Sequence, residues 1–420
     1  MTATTPGQHL ELTIERLAFG GSAIARHDGM AVFVPFGAPG DRVRVEVTEV
    51  EKKFARARIV ELLAPGPDRV TPRCGHFGEC GGCQFQHVDY AAQVAAKAEF
   101  VRDALVRTGG FDHGEVKVHS ADPWGYRVRT QLKLKATSGL RQDGKHGRLR
   151  KKERKVSAAP GATAVADQPP VLGFHRAFEH SVLDIQQCPV LAPELEQGLP
   201  EVRRALAELP RREWPYQIDG AAGAEGASWA PDLPGMRKDL IVHEVLGYRY
   251  LIEPESFFQG NRHLVAELVK GAIEGQSGEL AFDLYAGVGL FSLPLSERFS
   301  RVISVEDERR AATLGRVNVK TNGRDNVSYL RATTEQFLTG NRERPDLVLM
   351  DPPRLGAKPA LPFLLQLASP RLVYVSCDPQ TLARDLRSLV DGGYELQSVE
   401  AYDMFPQTYH VECVARLQLR

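Results

Sequence analysis

The strongest constraint on the fold is an alternation of strand and helix patterns that begins near Pro254 and runs through the rest of the chain. The clearest apolar strand patterns lie at 279–285, 301–305, 346–350 and 372–375. Such alternation is typical of a parallel sheet covered by helices. The closing stretch 394–419 contains two strand patterns joined by a Phe-Pro turn, which indicates an antiparallel finish. The sequence therefore predicts a Rossmann-like α/β domain over residues 254–420.

A glycine turn follows the first of these strand patterns. Gly287 and Gly289 allow the backbone to approach a ligand closely. The third glycine of the dinucleotide pattern is replaced by Ser292, which argues against a diphosphate ligand. Glu306 ends the second strand pattern, where a carboxylate can bind both hydroxyls of a ribose. A ribose without a diphosphate suits S-adenosylmethionine, so we expect that cofactor at this turn.

Two later strand patterns end in groups that can carry chemistry. Asp351 begins an Asp-Pro-Pro-Arg turn, and Cys377 follows the apolar run Leu372–Val375. Ligands of open α/β sheets bind at the carboxyl ends of the strands, so both groups are predicted at the rim of the sheet. A lone cysteine after an apolar run is more often structural than catalytic. The neighbouring cofactor turn and the carboxylate of Glu412 shift the balance toward catalysis.

One reaction requires a thiol, a base and a methyl donor together. Carbon 5 of uracil is a poor nucleophile until a thiolate adds to carbon 6 and forms an enolate. After methyl transfer, a base must remove the proton from carbon 5 so that the thiolate can leave. Cys377, Glu412 and the pocket of Gly287 and Glu306 supply these three parts. We therefore predict methylation of uracil at carbon 5.

Four cysteines, Cys74, Cys80, Cys83 and Cys188, form a candidate metal site. Three close thiolates and one distant thiolate suit either a tetrahedral zinc site or an iron–sulfur cluster. The spacing C-x5-C-x2-C differs from the C-x3-C-x2-C run of radical enzymes that cleave S-adenosylmethionine, and a fourth cysteine can close the site. The sequence predicts a structural or substrate-positioning metal site, with the metal left open between zinc and iron.

The part of the chain before residue 254 divides into two further regions. Residues 1–64 contain short strand patterns broken by Gly-Gly, Asp-Gly and Pro-Gly, which predicts a small OB-like β-barrel of the kind that binds nucleic acid. Residues 70–250 are predicted to form a central α+β domain with the cysteines. It includes a helix at 90–108, a strand at 126–135 and resumed strands at 172–178 and 181–186.

Charge and composition limit the partners and the compartment. The chain of 420 residues has 53 basic and 53 acidic residues, yet Arg127–Lys155 holds twelve Lys or Arg against two Asp or Glu. This local field favours a polyanion, although Arg148–Lys155 alone is equally consistent with a solvated loop. No apolar run approaches the ~18 residues of a membrane span, and no signal peptide is apparent. We expect a cytoplasmic monomer with reduced cysteines.

At this point the chain resembles the RNA uridine-5-methyltransferases, which form 5-methyluridine in ribosomal and transfer RNA. The matching stretches are FFQGN (257–261), DLYAGVGLFSLPL (283–295), VE (305–306), DPPRLG (351–356), VYVSCDPQTLARDL (373–386) and DMFPQTYHVECVARL (403–417). The N-terminal region resembles the TRAM barrel of that family. The resemblance covers most of the chain but excludes the stretches near 136–170 and 196–235, and the basic insert Gly139–Lys155 matches no family element.

The resemblance implies a role for each site residue. It implies that Cys377 is the nucleophile and Glu412 the proton acceptor. It assigns the contacts to S-adenosylmethionine to Gln259, Tyr285, Glu306 and Asp351. It also implies that the four cysteines ligate a 4Fe–4S cluster and that the substrate is RNA, with 23S ribosomal RNA expected first and transfer RNA second. Two alternatives stay open, namely an amino-methylating enzyme that uses the DPPR turn, and an iron–sulfur RNA-binding protein without activity.

Overall fold

The computed structural model describes residues 4–112, 114–135 and 170–420. The basic insert Gly139–Lys155 lies outside the described residues, so neither interpretation of its charge is addressed by the fold. Within the described ranges, no helix combines the length and the apolar character that crossing a membrane requires.

The N-terminal residues form a closed five-stranded barrel, in the order β1-β2-β3-β5-β4, which confirms the predicted fold of this region. Its strands are β1 (His9–Leu17), β2 (Ser22–His27), β3 (Met30–Pro35), β4 (Arg42–Val50) and β5 (Phe54–Ala64). Alternating burial along β1 and β4 points one row of apolar side chains into the barrel. Asp28 and Gly29 both have positive φ, 49° and 83°, as a two-residue hairpin turn between β2 and β3 requires.

A helix and a short strand follow the barrel, and both pack against other parts of the molecule. They are α1 (Tyr90–Ala104), which continues as a π-helical turn Leu105–Gly109, and β6 (Val118–His119). Asp89 caps α1, because its Oδ1 accepts from the Ala91 N–H at 3.0 Å. Phe100 packs into the core of the barrel, whereas Val101 and Ala104 pack into the core beside the C-terminal sheet.

The central region is a second five-stranded sheet, in the order β11-β10-β7-β8-β9, with one helix against it. Its elements are β7 (Arg129–Leu134), β8 (Leu172–His175), β9 (Val182–Asp184), α2 (Pro193–Ala207), β10 (Gln217–Gly223) and β11 (Gly226–Ala230), with a 3-10 turn at Arg211–Glu213. Strands β7, β8 and β9 confirm the strands predicted here. The β10–β11 hairpin was not predicted, because its small residues show no alternation. Small residues leave room for the ring of Trp229. A Cβ on Gly198 would lie 2.6 Å from that ring, and a Cβ on Gly220 would lie 2.5 Å from it.

The catalytic region contains an eight-stranded sheet, in the order β16-β15-β14-β17-β18-β20-β19-β6. Its elements, with a preceding hairpin, are β12 (Ile241–Val245), β13 (Tyr248–Ile252), α3 (Val265–Ile273), β14 (Gly278–Leu284), α4 (Ser292–Leu295), β15 (Phe299–Glu306), α5 (Arg309–Thr321), β16 (Val327–Arg331), α6 (Thr334–Gly340), β17 (Leu347–Met350), α7 (Leu361–Leu367), β18 (Arg371–Ser376), α8 (Pro379–Asp391), β19 (Tyr394–Tyr402) and β20 (Glu412–Leu419). Strands β14 to β18 are parallel, and β20 lies antiparallel between β18 and β19. The predicted Rossmann-like sheet and its antiparallel finish are confirmed.

The packing crosses the predicted limits of the central domain. Strand β6 pairs with β19 at the edge of the catalytic sheet, although it lies far upstream in the sequence. At the other end of the range 70–250, residues of β12 and β13 are buried in the same core as α3 and α5. The domain limits 1–64, 70–250 and 254–420 stay predictions, but the catalytic core draws residues from both ends of the middle range.

Candidate active site

A cavity of about 1310 Å³ opens at the edge of the catalytic sheet where the parallel strands end. Six residues predicted from the sequence line it: Gln259, Tyr285, Glu306, Asp351, Cys377 and Glu412. Gly287 lies on the same wall. The structure therefore brings the predicted nucleophile, base and cofactor contacts into one continuous space.

The glycine turn after β14 is held to the end of β15. Tyr285, Gly287 and Gly289 all have positive φ, at 60°, 54° and 95°. The Gly287 N–H donates to Glu306 Oε2 at 2.9 Å, and the Glu308 N–H donates to Glu306 Oε1 at 2.8 Å. Burial raises the pKa of Glu306 although both donors oppose this rise. The turn and the carboxylate thus form one rigid unit facing the cavity.

Ser292, which replaces the third glycine, takes part in a buried hydrogen-bond network next to the turn. Ser292 Oγ donates to Asp283 Oδ2 at 2.5 Å, and Ser304 Oγ donates to Ser292 Oγ at 2.8 Å. Asp283 is fully buried, and burial raises its pKa to about 7. Its Oδ1 has no hydrogen-bond partner among the residues that the structure describes. The departure from the dinucleotide pattern therefore has a structural reason, because the hydroxyl satisfies a buried carboxyl group.

The reversal of β20 explains why Cys377 and Glu412 meet. Strand β18 ends at Ser376, so Cys377 lies just beyond its carboxyl end. Strand β20 runs in the opposite direction and begins at Glu412, so its first residue lies at the same edge. Ser376 pairs with Cys413 in the ladder between the two strands, which places Cys377 and Glu412 beside each other. Cys413, the next residue of β20, is fully buried in the core.

The electrostatics of the cavity favour neutral groups when no ligand is bound. Burial, followed by the charge of Glu412, raises the pKa of Cys377 to about 12. Burial and the nearby Asp351 raise the pKa of Glu412 well above its ordinary value. Burial also raises the pKa of Asp351 to about 7, although Gln259 Nε2 donates to its Oδ2 at 3.3 Å. A cationic ligand would reverse these shifts by stabilising the carboxylates.

Arg354 is a cationic residue of the cavity wall that acts on Cys377, and its role was not predicted. Its charge and a hydrogen bond to the thiol lower the pKa of Cys377 and oppose the rise caused by burial. Its Nη2 lies 3.5 Å from His410 Nε2. Burial and then the charge of Arg354 lower the pKa of His410 to about 4, so this imidazole is neutral at pH 7. The signal available in the sequence was the arginine of the DPPR turn.

An exposed aromatic residue at the cavity wall was also not singled out. Phe257 lines the cavity, and 64% of its surface is exposed. The Arg129 guanidinium lies 5.9 Å from the centre of its ring, and Arg129 Nη2 donates to the Pro254 carbonyl at 3.2 Å. An exposed ring beside an arginine is suited to stacking with a nucleobase. The signal in the sequence was the Phe-Phe pair of FFQGN.

The four predicted metal ligands meet at a separate, smaller cavity. Cys74, Cys80, Cys83 and Cys188 all line a space of about 40 Å³, together with Arg127. Burial, and then the proximity of the other thiols, raises the pKa of Cys83 to about 12 and that of Cys188 to about 12. Crowded, buried thiols of this kind become thiolates only if a cation compensates their charge. The structure thus brings the four predicted ligands together around one space.

The arrangement at the cysteines does not suit a single ion. Among residues 4–112, 114–135 and 170–420, no three His, Cys, Asp or Glu side chains form a group that could hold one metal ion. Tetrahedral zinc would need sulfur atoms about 3.8 Å apart, given Zn–S bonds of ~2.3 Å. Backbone N–H groups instead point at two of the sulfurs, His76 to Cys74 Sγ and Gly82 to Cys80 Sγ, both at 3.4 Å.

Comparison with known proteins identifies the family to which this chain belongs. The family model described as tRNA (Uracil-5-)-methyltransferase matches residues 236–420, and the TRAM domain model matches residues 3–60. The chain is 32% identical to the 23S rRNA (uracil(1939)-C(5))-methyltransferase RlmD of Enterobacter sp. (strain 638), over 95% of this chain and 94% of that protein. This chain belongs to the RNA uracil-5-methyltransferase family. The family predicted from the sequence is thereby confirmed.

Two more proteins similar to this uracil-5-methyltransferase are named for ribosomal RNA and for transfer RNA. The RlmD protein of Pectobacterium atrosepticum is 31% identical over 98% of this chain and 94% of that protein. The structure of Pyrococcus abyssi tRNA (uracil-54, C5)-methyltransferase in complex with S-adenosyl-L-homocysteine aligns with a TM-score of 0.70. It has 26% identity and covers 97% of this chain and 100% of that chain. This chain therefore shares its fold with that enzyme over nearly its whole length.

Proposed function

We propose that this uracil-5-methyltransferase transfers a methyl group from S-adenosylmethionine to carbon 5 of a uridine in 23S ribosomal RNA. The relatives named 23S rRNA (uracil(1939)-C(5))-methyltransferase support this substrate, since they match the chain over nearly its whole length. The observation that carries the chemistry is the placement of Cys377 and Glu412 beside each other in the cavity that also contains the glycine turn.

In the first step, Cys377 adds to carbon 6 of the uracil ring. The thiol must first lose its proton to solvent, and the Arg354 guanidinium favours the thiolate against the effect of burial. The sulfur–carbon bond forms as the electrons of the double bond move toward the oxygen on carbon 4. Carbon 5 then becomes nucleophilic and attacks the methyl group. S-adenosylmethionine would supply that methyl group from its sulfonium, because the sulfur–methyl bond breaks and its electrons leave with sulfur as the neutral thioether of S-adenosylhomocysteine.

In the second step, Glu412 acts as the base. It removes the hydrogen that remains on carbon 5, and the released electrons re-form the double bond as the sulfur leaves carbon 6. Glu412 must be ionised to do this, whereas burial and Asp351 favour its neutral form in the free protein. The Arg354 guanidinium opposes this rise in pKa, and the positive charge of a bound methyl donor would favour ionised Glu412 before the methyl group is transferred.

Four residues are proposed to hold the cofactor. Glu306 would bind the ribose hydroxyls, because both of its oxygens lie at the glycine turn and are fixed by backbone N–H groups. Asp351 and Gln259, which hydrogen-bond each other, would face the positively charged methionine portion. Tyr285 lines the same wall in a left-handed conformation that directs it to the cavity side of the turn.

We also propose a 4Fe–4S cluster at Cys74, Cys80, Cys83 and Cys188. Support comes from four thiols around one small cavity and from the N–H groups directed at two of the sulfurs, a feature that tunes such clusters. The cluster would join the segment after the barrel to the far end of the central sheet. Its ligands lie outside the catalytic cavity, so a structural role is favoured.

A trapping assay tests the chemistry. RNA that carries 5-fluorouridine cannot lose a proton from carbon 5, so a covalent adduct with Cys377 should accumulate in the presence of S-adenosylmethionine. The Cys377→Ala variant should form no adduct. An amino-methylating enzyme would instead keep its activity after this substitution, and an inactive RNA-binding protein would not bind S-adenosylmethionine in calorimetry.

Transfer RNA is the second candidate substrate, because the Pyrococcus abyssi structure that aligns over the whole chain is a transfer RNA enzyme. The two substrates are separated by mapping 5-methyluridine in cellular RNA with and without the protein. Loss of 5-methyluridine from 23S ribosomal RNA alone supports the proposal, whereas loss from transfer RNA alone contradicts the choice of substrate.

A further inference from the structure

Helix α1 directs a stripe of polar side chains at the loop that precedes Glu412. Tyr90, Gln93 and Lys97 are spaced three and four residues apart, so they lie on one face of the helix. Gln93 and Lys97 are buried, with 1% and 0% of their surface exposed. Burying an amide and an ammonium group is unfavourable unless each finds partners. All three side chains find them in the segment 403–407.

The first contact is an ion pair shielded from water. Lys97 Nζ forms a salt bridge with Asp403 Oδ1, and both side chains are completely buried. The same ammonium group donates to the Phe405 carbonyl at 2.9 Å. The Tyr90 hydroxyl donates to the other oxygen, Asp403 Oδ2, at 2.9 Å. Each carboxylate oxygen therefore has its own donor on α1.

The second contact is a reciprocal pair of amides. Gln93 Nε2 donates to Gln407 Oε1 at 3.0 Å, and the Gln407 backbone N–H donates to Gln93 Oε1 at 3.1 Å. The Gln407 carbonyl accepts from the N–H groups of Gln84 and Phe85, at 2.9 and 3.0 Å. Gln407 has a φ of 69°, which is uncommon for a residue with a side chain. The surrounding hydrogen bonds hold it in this conformation.

The loop held in this way determines where Glu412 lies. Residues 403–411 connect β19 to β20, and Tyr402 pairs with Glu412 at the base of this hairpin. The side chain of Glu412 therefore enters the cavity from the first residue after the loop. A catalytic group displaced by ~1 Å can lose about 100-fold in rate, so small movements of this loop matter.

We propose that Tyr90, Gln93 and Lys97 are positioning residues for Glu412. The inference rests on the proposed function, because it assumes that Glu412 removes the hydrogen from carbon 5. The inference predicts that the elimination step is the one that depends on these three residues. When the proton passes from carbon 5 to Glu412, the carbon–hydrogen electrons form the double bond to carbon 6. The bond between carbon 6 and Cys377 breaks, and its electrons leave with sulfur as a thiolate.

Releasing the contacts should therefore slow elimination and spare the earlier steps. The variants are Gln93→Met, which keeps the buried volume but removes the amide, and Tyr90→Phe, which removes only a hydroxyl. With RNA containing ordinary uridine, Gln93→Met should lower turnover by about 10- to 100-fold. It should also accumulate a protein–RNA adduct stable to denaturation, and its affinity for S-adenosylmethionine should stay within about twofold. Tyr90→Phe should show the same pattern more weakly.

Gln276→Met is the matched control, because Gln276 is also a buried glutamine but accepts from Arg371 next to the start of β14, away from the cavity. It should change neither turnover nor adduct. Hydrogen exchange supplies a readout independent of chemistry, with faster exchange expected over 403–412 in Gln93→Met and unchanged exchange over β14 and β17.

Lower turnover without any adduct, or unchanged exchange over 403–412, would overturn the positioning role. A failure of the proposed function would give a different result in the trapping assay, because the wild-type protein would then form no adduct even with 5-fluorouridine RNA. In that case the exchange measurement alone decides whether the three residues hold the loop.

Discussion

At the scale of single residues, the cavity concentrates acidic groups that resist ionisation together. Asp351 and Glu412 share one space, and burial raises the pKa of each. Two nearby buried carboxylates cannot both ionise without a compensating cation. The cofactor carries such a charge on its sulfonium and another on its ammonium group. Binding of the methyl donor and ionisation of the site are therefore coupled.

The coupling predicts that affinity for S-adenosylmethionine depends on pH. Burial raises the pKa of Asp351 to about 7, so below about pH 7 its carboxyl group is protonated and neutral. That proton must leave before the carboxylate can pair with a cation. Affinity should therefore rise between about pH 6 and pH 8, by at most about tenfold per pH unit for one linked proton, and level off above. Calorimetry across this range measures it. The Asp351→Asn variant should bind more weakly with a much flatter profile, and a flat wild-type profile would contradict the coupling.

A second prediction concerns the activation of the nucleophile. Arg354 lowers the pKa of Cys377, so Arg354→Gln should raise that pKa and leave less thiolate at neutral pH. Adduct formation with 5-fluorouridine RNA at pH 7 should slow by about tenfold or more, because an adjacent opposite charge shifts a pKa by at least about one pH unit. The pH at which the rate is half-maximal should move upward.

The control for this arginine is Arg301→Gln, which removes a guanidinium paired with Glu343 on the surface. Its pH–rate profile should coincide with that of the wild-type protein. If Arg354→Gln shows the wild-type profile with only weaker RNA binding, then Arg354 contacts the substrate and does not activate the thiol.

At the scale of elements, one reversed strand brings the two proposed catalytic residues together. A parallel strand can offer only its carboxyl end to this edge of the sheet, as β18 does with Cys377. Because β20 is antiparallel, it offers its first residue, Glu412, at the same edge. The two groups come from neighbouring strands and therefore sit on the rigid part of the molecule. Only the loop before β20 needs external support.

Helix α8 is fixed directly after the nucleophile by its N-cap. Asp378 Oδ1 accepts from the N–H groups of Gln380 and Thr381, at 2.9 and 3.0 Å. The Asp378→Ala variant should lose about 0.5–2 kcal/mol of unfolding free energy, because two N–H groups lose their acceptor. Urea denaturation measures this loss. Asp378→Asn, which keeps an acceptor oxygen, should lose much less, and equal losses would argue against capping.

The sequence predicted those elements whose signal is local. The apolar runs indicated β14, β15, β17 and β18, because each is a continuous buried segment between turn signals. Strand β6 was not predicted, since two residues show no periodicity. Strand β10 was not predicted because its Gly and Ala residues give no alternation of polar and apolar side chains. The sequence placed Cys377 and Glu412 on one rim but could not measure their closeness, since the placement of β20 beside β18 is a long-range pairing. Arg354 was visible in its motif, yet its contact with the thiol depends on the fold.

At the scale of the whole molecule, the cysteine site joins distant parts of the chain. Cys74, Cys80 and Cys83 lie between the barrel and α1, whereas Cys188 lies after β9 in the central sheet. A shared metal centre would therefore cross-link regions separated by much of the central domain. The same N-terminal segment continues into Gln84 and Phe85, which contact the loop before Glu412.

Removing a ligand of this centre should therefore affect colour and stability together. Protein purified without oxygen should be brown, and Cys188→Ser should lose the broad visible absorbance. Its melting temperature should fall by about 5 °C or more, since metal binding is coupled to folding. Cys377→Ala is the matched control and should keep the colour, because Cys377 lies in the other cavity. Colourless wild-type protein with one zinc per chain would contradict the cluster.

Helix α1 gives the molecule a further property. Its Phe100 packs into the core of the barrel, and its Val101 and Ala104 pack into the core next to the catalytic sheet. Its polar side chains form hydrogen bonds with the loop between β19 and β20. Unfolding of the barrel alone would expose Phe100 and weaken a helix that also packs into the core beside the catalytic sheet. Calorimetry should accordingly record one cooperative heat-absorption peak, with the small RNA-binding module unable to come apart ahead of the enzyme it serves.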